Sequence, residues 1–427
     1  MILTNISTPL LGLVDTAVLG HLDSEQFLAA VALGGLIFSF IFWGFGFLRM
    51  GTTGLAANAF GKNNTEAVNG ILIRAIALAL IISTLLLLFH PTIGFISFWL
   101  FDSAKNVENL ALQYFEIRIW SAPATLCLYV LMGWFLGRQN VTIPLVVVLM
   151  TNLLNISLDL LFVYHFKMQV EGVALASVIS EYFGLAIALL SSSFYIKKQK
   201  VFWKWKYLTS FDKYKAMLLI NSHIFIRTWC LIFAFAFFTA QSAKMGAIIL
   251  AANAVLLNFQ TFMAYALDGF AHAAEAMVGR AKGAKDKVLG RQAILTSFLW
   301  SFVVALFFSG LYFIFGQQMI NLLTGLENVR ETAFIYLPWL IIMPLVSFLC
   351  YLFDGIFIGL MLTKEMRNTM LFSLFCVFLP LWYFTQELGN QGLWIAMLGF
   401  MMARSLSMAI LYKYQKIISK KVNNFIF

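Results

Sequence analysis

Twelve stretches of this chain are predominantly apolar and at least 18 residues long: 2–20, 28–60, 69–101, 110–136, 140–164, 171–195, 216–239, 247–279, 291–316, 332–362, 369–386 and 392–412. A helix needs about 20 apolar residues to cross the hydrocarbon core of a bilayer. Within that core the backbone must satisfy its own hydrogen bonds, so only helices and closed barrels can span it. No stretch alternates apolar and polar residues with period two, which rejects the barrel. The pattern predicts an all-α integral membrane protein with twelve transmembrane helices. Composition agrees: 61% of the 427 residues are apolar and 11% charged, where a soluble domain carries about a quarter charged.

Orientation follows from the basic residues. Of 29 Lys and Arg, twenty fall in alternate loops on one side, and only Lys105, Lys167, Lys244 and Arg330 fall on the other. The remaining five, Arg49, Arg74, Arg118, Arg227 and Arg404, lie within spans. With an even number of spans, this bias places both termini in the cytoplasm of a cell (inner or plasma) membrane. The net charge of +10 is scattered through short loops rather than gathered in a stripe, so no nucleic-acid partner is expected. Cys127, Cys230, Cys350 and Cys376 lie inside apolar runs with no CxxC pair, which reads as small core residues.

The longest polar break, 196–215, is rich in Lys and Trp and divides the chain into an N-terminal half (1–195), a basic cytoplasmic linker (196–215) and a C-terminal half with a basic tail (216–427). The halves resemble a repeat. Gly51–Lys62 aligns without gaps on Gly269–Arg280, Gly133–Gly137 parallels Gly355–Gly359, and Glu171–Gly172 parallels Gln391–Gly392. The matches keep their order, which predicts two pseudo-symmetric six-helix lobes related by an axis along the membrane normal.

An ionisable group at membrane depth costs a few kcal/mol, so each is a candidate for function. Asp15 in span 1 and Asp159 in span 5 each precede an outer-end histidine, His21 and His165, by six residues; Ser177 in span 6 follows Glu171 by six. At 1.5 Å per residue, all three lie roughly 9 Å below the outer surface. Asn152, Asn155 and Asp159 share one helical face by their i, i+3, i+7 spacing. Two carboxylates in one poorly solvated place cannot both stay ionised cheaply, so one holds a proton or a cation binds between them. The blander alternative is that Asp15 and Asp159 only hydrogen-bond neighbouring helices.

The second half carries Asp268, His272 and Glu275 on one face of span 8, and Arg227 on span 7 at the depth of Asp268. An Arg227–Asp268 ion pair is expected, with a relay role for the group as the functional alternative. A metal site is not expected there, because one helix supplies all three ligands. Asp354, Glu181, Arg49, Arg118 and Arg404 are read as pairing locally or facing a water-filled cavity, and His90 and His223 as interfacial. No HExxH, GxSxG, Walker A or GxGxxG motif is present, so the chain is read as no enzyme and as needing no cofactor. Any work must draw on an ion gradient.

Asn5–Leu22 (NISTPLLGLVDTAVLGHL) closely resembles the first-helix signature of the multidrug and toxic compound extrusion (MATE) family, in its DinF-type branch. The resemblance continues through Asn155–Val163, Glu171–Ser180, Ala266–Gly279 and Asp354–Gly359, and so covers both halves. It implies two six-helix lobes around a central cleft that alternates between outward- and inward-facing forms, exporting cationic or amphipathic organic compounds in exchange for protons or sodium. By motif position it also implies a cation site at Asp15, Asn155, Asp159 and Ser177, with serine where relatives commonly carry threonine. Helix 1 of the family usually begins several residues earlier with a further proline, whereas here Pro9 is the local substitute and span 1 is short.

The expectation is therefore a secondary active multidrug exporter in the lipid bilayer, monomeric, coupled to protons through Asp15 and Asp159, with Na+ as the alternative ion. A lipid-linked precursor flippase of related fold is the runner-up. An intramembrane lipid enzyme and a membrane scaffold are the alternatives from other classes.

Overall fold

The computed structural model describes residues 25–101, 105–198 and 206–422. Among these residues the chain forms helices and turns without a strand. The N-terminal half comprises α1 (Glu25–Gly44), α2 (Phe47–Gly61), α3 (Thr65–Leu88), α4 (His90–Phe101), α5 (Lys105–Arg118), α6 (Ala122–Gly137), α7 (Thr142–Leu160) and α8 (Val170–Lys198). A short α9 (Lys206–Thr209) leads to α10 (Phe211–Lys244), α11 (Ala247–Ala284), α12 (Lys287–Leu323), α13 (Glu327–Gly359), α14 (Thr363–Phe372), α15 (Leu379–Thr385) and α16 (Asn390–Val422). Eleven helical segments are long and apolar enough to cross a membrane, and each overlaps one of the stretches expected from residue 28 onward. The span expected at 2–20 lies outside the described residues.

Five expected spans are not single α-helices: 28–60 turns at Phe45–Gly46, 140–164 passes into a π-helical turn at Leu161–His165, and in the other three the interruption lies beside a proline. In stretch 69–101 the helix stops at Leu88 and α4 starts afresh. Pro91 has no N–H for the carbonyl four residues back, and the Leu87 oxygen instead accepts from His90 Nδ1 at 2.7 Å. Between α5 and α6 a 3₁₀ turn, Ile119–Ser121, precedes Pro123. Between α14 and α15 the wider π-helical turn Ser373–Phe378 precedes Pro380.

The described chain divides into two compact units, one ending at Met217 and the other beginning at Leu218. Their internal correspondence shows in the backbone. Left-handed φ angles occur at Asn63 and Lys285, Gln139 and Met361, and Lys167 and Gly389, each pair 222 residues apart. The N-caps Asn64 and Asp286 keep the same spacing, each side chain accepting from the N–H three residues on. The Gly133–Gly137 and Gly355–Gly359 pairing has this register. The gap-free pairing of Gly51–Lys62 with Gly269–Arg280 is four residues out of it and is corrected here. Four residues make about one turn, so small residues recur on the same face and their pattern cannot distinguish adjacent turns.

Those glycines set the closest helix approaches. A Cβ on Gly133 would lie 2.4 Å from the Arg49 carbonyl oxygen, and one on Gly355 would lie 2.1 Å from that of Ala271. Both obstacles are backbone, so a methyl group must push α2 from α6, or α11 from α13. Gly355→Ala is expected to cost about 1–3 kcal/mol by overpacking. A thermal melt of the purified variant indistinguishable from that of the parent would contradict this close approach.

Candidate functional site

On α7 the usual order of a surface helix is inverted. Its buried residues are Pro144, Val147, Asn155 and Asp159, while Val146, Leu149, Met150, Leu153 and Leu160 are exposed. Leucine and valine thus face outward, as lipid demands, and the inward face becomes polar towards its C-terminal end. Asn155 and Asp159, one turn apart, are 1% and 0% exposed, and Ser177 on the neighbouring α8 is 5% exposed. With its amide oriented to suit both neighbours, Asn155 donates to Asp159 Oδ2 at 3.2 Å and accepts from the Ser177 backbone N–H at 3.3 Å. Its side chain also lies 3.4 Å from Ser177 Oγ. A π-helical turn, Leu161–His165, follows Asp159 directly; such turns often accompany functional sites.

Asn155, Asp159 and Ser177, singled out from depth and spacing, therefore form one buried cluster. Asn152, on the same helix, is half-buried. Asp15, the fourth expected member, lies outside the described residues, as does His21. Carboxylate, amide and hydroxyl oxygens in so dry a place can hold a proton or a hard monovalent cation.

A second polar group lies one turn along α8 from Ser177. Arg118 Nη2 donates to Glu181 at 2.5 Å and Nη1 to Ser121 Oγ at 2.7 Å, and Thr125 donates to the other Glu181 oxygen. The Arg118 guanidinium also faces the rings of Phe38 and Phe42, 5.8 and 6.0 Å from their centroids. Arg118 and Glu181 thus pair locally with one another.

In the C-terminal half the ion partner of Arg227 is Asp354 on α13 rather than Asp268. Arg404 on α16 donates to the same Oδ2 at 2.9 Å. Asp268 and Asp354 lie on different helices, and equal depth does not fix azimuth: α10 presents Arg227 to α13. A signal was nevertheless available in the sequence. Spans 7, 10 and 12 each carry a charge, two basic and one acidic, and buried charges seek partners. On α11, Glu275 is buried while Asp268 and His272 are half-buried. Among the described residues no three His, Cys, Asp or Glu side chains gather as metal ligands.

The two halves share a backbone but not a polar constellation. Residues 222 positions after Asn155 and Asp159 are Val377 and Leu381. Among the described residues, the buried carboxylate–amide–hydroxyl cluster at Asn155, Asp159 and Ser177 has no counterpart at the equivalent positions of the second half.

The model of the MatE family matches residues 1–161 and again residues 224–384. The chain belongs to the MatE family. Its double match agrees with the 222-residue repeat. DNA damage-inducible protein F of Escherichia coli K12 is 40% identical over 418 residues, covering 97% of this chain and 90% of that protein. Multidrug and toxin extrusion protein 1 of Homo sapiens is 26% identical over 347 residues, 77% of this chain and 59% of that protein. The crystal structure of the Vibrio cholerae MATE transporter VcmN in the bent form shares the fold, with a TM-score of 0.84 at 22% identity over 100% of this chain and 96% of that one. As a MatE member, the chain is a multi-pass multidrug efflux transporter, not an enzyme, and the family draws on ion gradients rather than cofactors.

Proposed function

We propose that this chain exports cationic or amphipathic organic compounds from the cytoplasm in exchange for protons, by alternating access, as a monomer with both termini on the cytoplasmic side. The observation that carries the reading is the burial of Asp159 with Asn155 and Ser177 on an otherwise lipid-facing helix. Asp15 and Asp159 are the coupling carboxylates, and Asn155 and Ser177 hold them. A proton arriving from outside neutralises the pair, and the neutral and charged forms favour different arrangements of the first helix. Sodium is the competing ion, because the same oxygens suit it.

Counterflow of a fluorescent organic cation in proteoliposomes, under separately imposed pH and sodium gradients, tests this. A pH gradient alone is expected to raise accumulation several-fold, and a sodium gradient alone is expected to leave it at the baseline. Accumulation that follows sodium only would reassign the ion, and accumulation that follows neither would end the antiporter reading.

A further inference from the structure

Arg138 sits at the C-terminus of α6, on the side where the loops are rich in Lys and Arg. Its guanidinium is stacked 4.3 Å from the Trp134 ring centroid and 4.7 Å from that of Tyr195 on α8. No carboxylate pairs with it among the described residues, and its Nη1 is buried without a hydrogen-bond partner. Burial pulls its pKa down, with Tyr195 acting in the opposite sense. The neighbouring polar groups are already engaged: Asn140 donates to the Tyr195 hydroxyl at 2.8 Å and accepts from the N–H groups of Thr142 and Ile143, both at 3.1 Å. Beside the arginine opens a cavity of about 420 Å³, lined also by Phe60, Phe135, Val141 and Thr142.

The repeat supplies an internal control. At the equivalent position 222 residues on, after Gly359 and before the left-handed Met361, stands the buried Leu360. The fold accommodates an uncharged side chain at this helix end, so the arginine is not demanded by the backbone. A half-buried cation with no carboxylate partner among the described residues carries part of the cost of a buried charge, and a guanidinium stacked on two rings presents its planar fork already oriented for two oxygens. The adjacent N-terminus of α7 adds positive potential. The lining is mixed: Arg138, Gln139, Asn140 and Thr142 offer polar groups suited to a phosphate, and Phe60, Phe135 and Val141 offer apolar surface to the glycerol end of a lipid.

We propose that this cavity binds the phosphate group of an anionic phospholipid headgroup from the cytoplasmic leaflet. The leaflet follows from the Lys and Arg bias of the loops. The proposal does not depend on which ion drives transport.

Native mass spectrometry of the full chain in detergent, titrated with dioleoyl phosphatidylglycerol, dioleoyl phosphatidylcholine or inorganic phosphate, tests it. R138Q is expected to weaken phosphatidylglycerol binding about tenfold, the worth of one charge-assisted contact; phosphatidylcholine, which has the same phosphodiester but a choline cation that the arginine repels, is expected to bind the parent more weakly and to lose less. K62Q, which removes an exposed charge two residues along the chain from the cavity residue Phe60, is expected to stay within about twofold of the parent. If R138Q does not fold, R138K decides: it keeps the charge, loses the fork, and is expected to bind phosphatidylglycerol about fivefold more weakly. Binding equal to that of the parent in the folded arginine variants would overturn the proposal, as would an equal loss in K62Q. Displacement of phosphatidylglycerol from the parent by millimolar inorganic phosphate, absent in the arginine variant, would overturn the lipid assignment in favour of a free phosphate.

Discussion

Asp354→Ala is expected to destabilise the protein by about 3–5 kcal/mol, the cost of leaving buried charges without their partner. Arg227 and Arg404 both direct a guanidinium nitrogen at Asp354 Oδ2. Arg404 is 1% exposed; besides Asp354 it meets the Met401 sulfur at 3.4 Å and the Phe400 ring at 5.5 Å, neither of which carries a negative charge, and the Asp268 carboxylate acts on it less strongly than Asp354 does. Removing the carboxylate strands two cations among α10, α13 and α16, whereas removing all three charges strands none. The triple variant Arg227→Met, Asp354→Leu, Arg404→Met should therefore melt well above Asp354→Ala, because apolar replacement of a whole buried ion cluster is often near neutral. Fluorescence-detected size exclusion after heating measures both. A single variant that melts with the parent would show that the three charges are not one energetic unit.

Asp159→Asn is expected to reduce export of a fluorescent organic cation from whole cells by on the order of 10- to 100-fold, with membrane abundance close to that of the parent. The scale is that of one buried ionisation lost, at about 1.4 kcal/mol per factor of ten. Folding should survive because asparagine keeps the shape, and the Asn155 amide can turn to offer an acceptor instead of a donor. The new side chain cannot exchange a proton. Asp159→Asn cells that resist and extrude the compound as the parent does would remove this carboxylate from the coupling site.

The helices of this chain were legible from residue 28 onward because bilayer thickness sets a minimum apolar length that few other structures need. Their interruptions were less legible. Pro91, Pro123 and Pro380 are visible in the sequence, but whether a proline merely kinks a helix or ends it depends on who takes the freed carbonyl. At Pro91 that partner is His90. The repeat was legible in kind but displaced by a turn in its first motif, because small residues recur every four positions along a packed face. Backbone angles carry no such degeneracy, and three left-handed pairs set the register at 222.

Asn155, Asp159 and Ser177 could be gathered from the sequence because depth in a membrane is a one-dimensional quantity that residue counting measures. The partner of Arg227 could not, since Asp268 and Asp354 differ in the helix and azimuth that carry them. Hydropathy, charge bias and spacing thus determined the class of fold, its number of spans and the polar cluster of the first half. Tertiary packing alone decided that two arginines share Asp354, and that Arg138 is clamped between two rings beside a cavity. The reason is physical: one-dimensional burial acts on each residue separately, whereas an ion pair or a cavity exists only once neighbouring helices have chosen which faces to turn together.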